Sequence, residues 1–114
     1  MKNFSRRVDE RLNQVRDAVK RWKATGSRFA IWGSGSKCVS LLSKLGAEGI
    51  PDAIVDVNPH KHGKFLAGSG LEIHGPDALA RLRPDAVIVM NSIYTDEIRA
   101  DLEKRGLRPE MIPL

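Results

Sequence analysis

Residues 30–38 read AIWGSGSKC, an apolar run that breaks into a loop with glycines at 33 and 35. Together with Arg28 and Phe29 it is a short apolar stretch bounded by turn residues, the pattern of a strand buried on both faces. The next ten residues, Ser36 to Leu45, read as a helix that stops at Gly46. A strand, a glycine loop and a helix in this order open a nucleotide-binding α/β sheet, in which ligands sit beyond the carboxyl ends of the strands. Gly33 suits the tight turn, and Gly35 lets a ligand approach the backbone. The amides from Ser34 through Ser36 to Lys37 start a helix whose positive end favours phosphate. A dinucleotide fingerprint would place a third glycine at position 38, where Cys38 stands. Cys38 is small enough to serve as a packing residue there. Lys37 reads either as a point charge for phosphate or as a solvated helix lysine.

The pattern repeats along the chain. Asp52–Asp56 (DAIVD) and Asp85–Met90 (DAVIVM) are further strands, and Glu110–Leu114 suits an edge strand. Pro76 to Leu82 begins a short helix with proline in its first turn, and Thr95 to Arg105 is a helix closed by Gly106. Between Val57 and Gly75 lie Pro59 and four glycines, so this segment is an ordered loop with a short strand near Leu71–Ile73. Strands alternating with helices predict a three-layer, Rossmann-like parallel sheet of about four or five strands.

Before the first strand, Phe4, Val8, Leu12, Val15, Val19 and Trp22 recur every three or four residues, an amphipathic helix following a cap at Ser5. Residues 1–27 are thus expected to form a helix packed on, or leading into, a domain of residues 28–114. Of the net charge of +5, residues 1–28 carry +6, leaving −1 for the other 86. The basic excess therefore belongs to one helix and reads as a solvated face before it reads as a polyanion footprint. Its apolar row suits packing on the sheet or association with a partner or a second copy. A single cysteine excludes an internal disulfide, and Cys38, His60, His62 and His74 lack metal-ligand spacing. There is no apolar signal core and no membrane-length run. The expectation is a cytoplasmic protein with no bound metal, nucleic acid or membrane.

Asp56 ends the second strand 23 residues past Gly33. An acidic residue there takes ribose hydroxyls, or else caps the Asn58-Pro59 turn. In the loop that follows, Lys61 and Lys64 supply cations, His60 and His62 supply adjustable donors, and Gly63 allows close approach of backbone. Asn91 ends the third main strand at the ligand edge and Tyr94 lies one turn on; each reads as a ligand contact or as a cap or packing residue.

Taken together, GSGSKC, DVNPHKHGKFLAGSGLEI, RPDAVIVMN and YTDEI resemble the C-terminal domain of sugar C-methyltransferases, S-adenosylmethionine-dependent enzymes that methylate a carbon of deoxy nucleotide-sugars. That pattern has a glycine loop with a lysine, then D-x-[NS]-P-x-K-x-G-x-[YF]-x-P-G-[TS]-x-[IL]-P-I, then a strand ending in asparagine before an acidic-led helix. Gly33 and Lys37 match the first part. Asp56, Asn58, Pro59, Lys61, Gly63, Phe65, Gly68, Ser69, Leu71 and Ile73 match the second, and Asn91, Glu97 and Ile98 the third. Ala67 and Glu72 stand where the pattern has prolines, and Gly35 is closer to a Rossmann loop. The resemblance runs over about residues 28–104. A looser one is to the nucleotide-sugar-binding domains of bacterial sugar acyltransferases.

The resemblance implies a nucleotide-sugar-binding module of deoxysugar biosynthesis, holding a nucleotide diphosphate-sugar through Gly33, Ser34, Gly35, Ser36, Lys37, Asp56, Asn58, Lys61, Gly63, Asn91 and Tyr94. It also implies that the zinc-binding cysteines, methyl-donor domain and catalytic histidine-tyrosine region belong upstream of this domain. On that expectation the chain is not an enzyme alone and binds no cofactor itself, S-adenosylmethionine being held by missing domains or a methyltransferase partner. The alternatives are a dinucleotide-binding (NAD or NADP) Rossmann domain, motivated by Gly33, Gly35 and Asp56, and an interaction scaffold, for example a homodimer, associating through the leading helix.

Overall fold

The computed structural model describes residues 2–114, with side chains described from Glu10 onward except Glu48. Four helices, α1 (Lys2–Thr25), α2 (Ser36–Leu45), α3 (Ala78–Leu82) and α4 (Thr95–Lys104), and five strands, β1 (Phe29–Trp32), β2 (Ala53–Val55), β3 (Ile73–His74), β4 (Ala86–Val89) and β5 (Glu110–Pro113), follow in the order α1-β1-α2-β2-β3-α3-β4-α4-β5. All five strands are parallel, in the order β3-β2-β1-β4-β5. The chain is therefore an α/β Rossmann-like domain with an N-terminal helix, as its alternating pattern predicts. The strand near Leu71–Ile73 forms at Ile73–His74, starting two residues later. The cap expected at Ser5, with Phe4 and Val8 of the apolar row, lies outside the described side chains.

Every residue of β1 and of β4 is buried. Successive side chains point to opposite faces, so each strand feeds two cores. Phe29 and Ile31 of β1, with Ile88 of β4, join one cluster with Cys38 and Leu41 of α2. Ala30 and Trp32, with Val87 and Val89, join the other with Leu79 of α3 and Ile98 and Leu102 of α4. Both clusters are needed because a strand without a polar face cannot meet water on either side.

The topology leaves one face under-covered. Of the crossover helices, α3 and α4 share one side of the sheet, whereas α2 stands on the other. Helix α1 completes that second side: Val15, Ala18, Val19 and Trp22 are all at least 96% buried in its core. The described part of the α1 apolar row is thus spent inside the domain, and Trp22 stacks obliquely on Phe29 with ring centroids 5.2 Å apart.

The basic residues of α1 work as ties along the edges of this contact. Arg11 donates to the Pro113 carbonyl (2.8 Å), Arg16 to that of Lys44 (3.1 Å) and Lys23 to that of Ile50 (2.8 Å). Arg21 forks onto Glu110 at 2.8 and 3.0 Å, and the Trp22 indole N–H reaches the same carboxylate at 3.3 Å. Carbonyls at the ends of α2 and β5 have no partner in the sheet or helix, and a long cationic side chain satisfies them while its stem covers apolar surface. No helix among the described residues is long and apolar enough to cross a membrane.

These two kinds of contact differ in strength. Trp22→Ala is expected to cost about 3–5 kcal/mol, the range for emptying a large aromatic site. Arg21→Ala is expected to cost under about 1 kcal/mol, because its ion pair is half exposed. Urea unfolding of both variants checks the order; equal losses would contradict the packing role of α1.

Candidate functional site

The connection after β1 turns toward one face of the sheet and that after β4 toward the other, which opens a crevice between their carboxyl ends. A cleft with a volume of about 890 Å³ occupies this place. Its margin is formed by Gly33–Lys37, by Asp56 and Val57 after β2, by Pro76, and by Asn91, Tyr94, Glu97, Asp101 and Arg105 after β4; Trp32, Met90 and Ile98 form its apolar floor.

The two loop glycines have different reasons to be glycine. Gly33 has φ of +119°, and a Cβ there would lie 3.0 Å from Met90 Cβ, so both backbone and packing require it. Gly35 has an ordinary φ of −79°, and a Cβ added to it would meet nothing within 4 Å. Open space above Gly35 is what backbone approach by a ligand needs. Cys38 and Val39 donate to the Gly35 carbonyl, but the amides of Gly35, Ser36 and Lys37 have no acceptor among the described residues. Three free N–H groups at the start of α2 thus border the cleft.

Asp56 fixes this loop. Its Oδ2 accepts from the Ser34 amide (3.0 Å) and hydroxyl (2.6 Å), while Oδ1 accepts from the Asn58 amide (2.9 Å). Lys61 Nζ stands 3.8 Å from Oδ2. Burial pulls the Asp56 carboxyl upward, but the Ser34 hydroxyl, the two amides and Lys61 outweigh it, and the net pKa is lowered. Both readings of Asp56 hold in part: it caps the Asn58-Pro59 turn, and it faces the cleft.

The rest of the DVNPHKHG segment supports Asp56 from behind. Asn58 Oδ1 accepts from the His60 amide at 3.0 Å, capping a single 3₁₀ turn. His62 Nε2 lies 2.6 Å from the Asp56 carbonyl, so this nitrogen carries the proton. Its ring packs on Gly75, where a Cβ would fall 2.8 Å away. Gly63, at φ +81°, donates to the Ile73 carbonyl. Of the residues singled out from the sequence, the fold brings Gly33, Ser34, Gly35, Ser36, Lys37, Asp56, Asn91 and Tyr94 to the cleft. It does not bring Asn58, Lys61 or Gly63 to the cleft wall; they lie behind Asp56. Asn91 also caps the turn before α4, accepting from the Ile93 amide at a long 3.4 Å.

Sequence reading missed Val57, Pro76, the floor residues Trp32 and Met90, and the far wall of Asp101 and Arg105. A signal existed for the last: residues 94, 97, 98, 101 and 105 share one face of a helix. Cys38 is fully buried, and burial pushes its thiol up to about 11, in keeping with a packing role. Among the described residues no group of histidines, cysteines and carboxylates could hold a metal ion.

Residues 1–108 match the family described as the C-methyltransferase C-terminal domain. The chain belongs to that family. No curated protein matches it. Among solved structures, the domain is similar to UDP-D-quinovosamine 4-dehydrogenase from Vibrio fischeri, with a TM-score of 0.58 and 26% identity over 76% of this chain and 78% of that one. It shares its fold with RSP, a Rex-family repressor, at a TM-score of 0.56 and 16% identity over 82% of this chain. It spans 56% of the repressor's length. The same repressor solved in complex with β-NADH gives a TM-score of 0.53 at 18% identity.

Two variants separate the glycine roles. Gly33→Ala is expected to lose about 1–3 kcal/mol of stability from strain alone, and Gly35→Ala about 1 kcal/mol or less, from poorer capping of α2. Thermal unfolding checks this. Asp56 carries a depressed pKa, so its stabilising contribution is present above its ordinary value near 3.8 and is lost as pH falls through the lower folded value. The stability gap between the wild type and Asp56→Asn should therefore narrow as pH is lowered from 6 toward 3; a gap independent of pH would contradict the bonding described.

Proposed function

We propose that this domain is a nucleotide-sugar-binding module. The observation that carries the reading is the run of three free amides at Gly35–Lys37, open above Gly35 and bordering the same cleft as Asp56 and Asn91. A helix start with free amides and an adjacent lysine suits a diphosphate. Asp56 keeps acceptor capacity on Oδ1 for a ribose hydroxyl, since that oxygen takes one bond. A volume of about 890 Å³ is ample for a ligand of this size. Membership of the C-methyltransferase C-terminal family and likeness to a UDP-sugar dehydrogenase support the same class of ligand. In this reading the methyl donor is held elsewhere, by another domain or by a partner chain, and this domain contributes binding rather than chemistry.

Calorimetry with thymidine, uridine and guanosine diphosphate-sugars tests the proposal. At least one is expected to bind with a dissociation constant of about 1 mM or tighter, and Gly35→Ala should weaken it at least tenfold by filling the space above the amides. Absence of binding by all three classes at millimolar concentration would overturn the reading.

A second reading, a dinucleotide-binding domain, draws on the shared fold with a repressor solved with β-NADH. Thermal stabilisation by NADH or NADPH beyond that given by nucleotide-sugars would favour it. Cys38 at the third glycine position argues against it, because a side chain stands where the fingerprint packs helix on strand without one.

A further inference from the structure

The two ends of the cleft differ in chemistry. The Gly33–Lys37 end offers free amides and one lysine. The α4 wall offers Asn91, Tyr94, Glu97, Asp101 and Arg105. Arg105 is held from two sides, by Asp101 at 3.1 Å and by Asp77, so its guanidinium is fixed and its charge is answered twice. The Glu97 side chain has no hydrogen bond or ion pair among the described residues. Glu97 and Asp101 against Arg105 leave this wall with one net negative charge. Asn91 spends its side-chain oxygen on the turn, which leaves its amide N–H groups free, and the Tyr94 ring is half exposed. Carboxylate acceptors, an amide donor and an exposed ring together suit the hydroxyls and the C–H face of a hexose.

The topology orders a bound ligand. The amides lie above β1, Asp56 and Val57 follow β2 on one side, and the α4 wall follows β4 on the other. With the diphosphate on the amides and the nucleoside over β2, the hexose meets α4. We infer that the α4 wall is the hexose subsite, and that Glu97 makes it select neutral hexoses against hexuronates. A sugar carboxylate there meets an unanswered like charge, and like charges a few ångströms apart repel even where water reaches them. This inference rests on the nucleotide-sugar reading.

The test uses the whole chain, wild type and Glu97→Gln, with UDP, UDP-glucose and UDP-glucuronate, or with the guanosine series GDP, GDP-mannose and GDP-mannuronate if the guanine nucleotide binds better. Glu97 is exposed, so the variant is expected to keep the wild-type melting temperature. The wild type should bind the neutral sugar about tenfold tighter than the uronate. Glu97→Gln should shrink that ratio to about threefold or less by tightening the uronate, with unchanged affinity for the nucleoside diphosphate. UDP-glucosamine, whose amine is cationic, should bind the wild type tighter than UDP-glucose and lose that advantage in the variant. Equal binding of neutral and acidic sugars by the wild type, or an unaltered ratio in the variant, overturns the inference while nucleoside diphosphate binding keeps the nucleotide-sugar reading intact. Failure of every nucleotide and nucleotide-sugar to bind removes both.

Discussion

Strands β1 and β4 have no polar face: each of their residues is buried. Much of the remaining architecture is a response to that constraint. A sheet that cannot meet water must be covered on both sides, and backbone groups at its strand ends are the places left open to a ligand. Helices α3 and α4 cover one side, while α2 covers only half of the other. Helix α1 is therefore a structural necessity rather than an appendage, and its Val15, Val19 and Trp22 fill the vacant half. Once both faces are closed, the crevice between the carboxyl ends of β1 and β4 is where a small molecule can reach the interior. The site's location follows from the burial of the strands.

Within that crevice the loop would have several conformations open to it, because Gly33 and Gly35 restrain the backbone little. Asp56 removes that freedom. By taking both the amide and the hydroxyl of Ser34, it ties the end of β2 to the loop after β1 and leaves the next three amides free. The cost of ordering the loop is thus met before any ligand arrives, which is the advantage of preorganisation. Lys61 acts on the Asp56 carboxylate and His62 on its main-chain carbonyl, so a motif eight residues long converges on one residue.

That convergence explains what could be read in the sequence and what could not. Apolar runs at 29–32, 53–55 and 86–89 sit between turn residues, so these strands and their parallel arrangement were legible from pattern alone. The glycine loop was legible because Gly33 has a backbone requirement that few residues meet. The DVNPHKHG motif drew attention for its cations and donors, yet Asn58, Lys61 and Gly63 stand behind Asp56, and sequence carries no sign of which way a loop residue faces. The far part of the α4 wall, Asp101 and Arg105, was missed for a different reason. Its residues differ in type, and only their helical spacing unites them, so a search for chemical motifs passed over a face that periodicity would have found. The basic residues of α1 were countable, but their use as ties to Pro113, Lys44 and Ile50 depends on contacts up to 102 residues apart.

The net charge of +5 says little about the cleft. Around it stand Lys37 and Arg105 against Asp56, Glu97 and Asp101, one more negative charge than positive. Long-range attraction therefore contributes little to bringing an anion here, and the basic excess lies on α1, where Arg11, Arg16, Arg21 and Lys23 are engaged with the fold. A diphosphate in this cleft would be held by oriented amides and one lysine over a short range, inside a setting that repels surplus negative charge. Such a site discriminates by where a ligand's charge is placed rather than by how much it carries. On the proposed reading, two negative groups would be accepted at the start of α2 and a third opposed along α4. Ligand length and charge position would then be read together by one sheet edge.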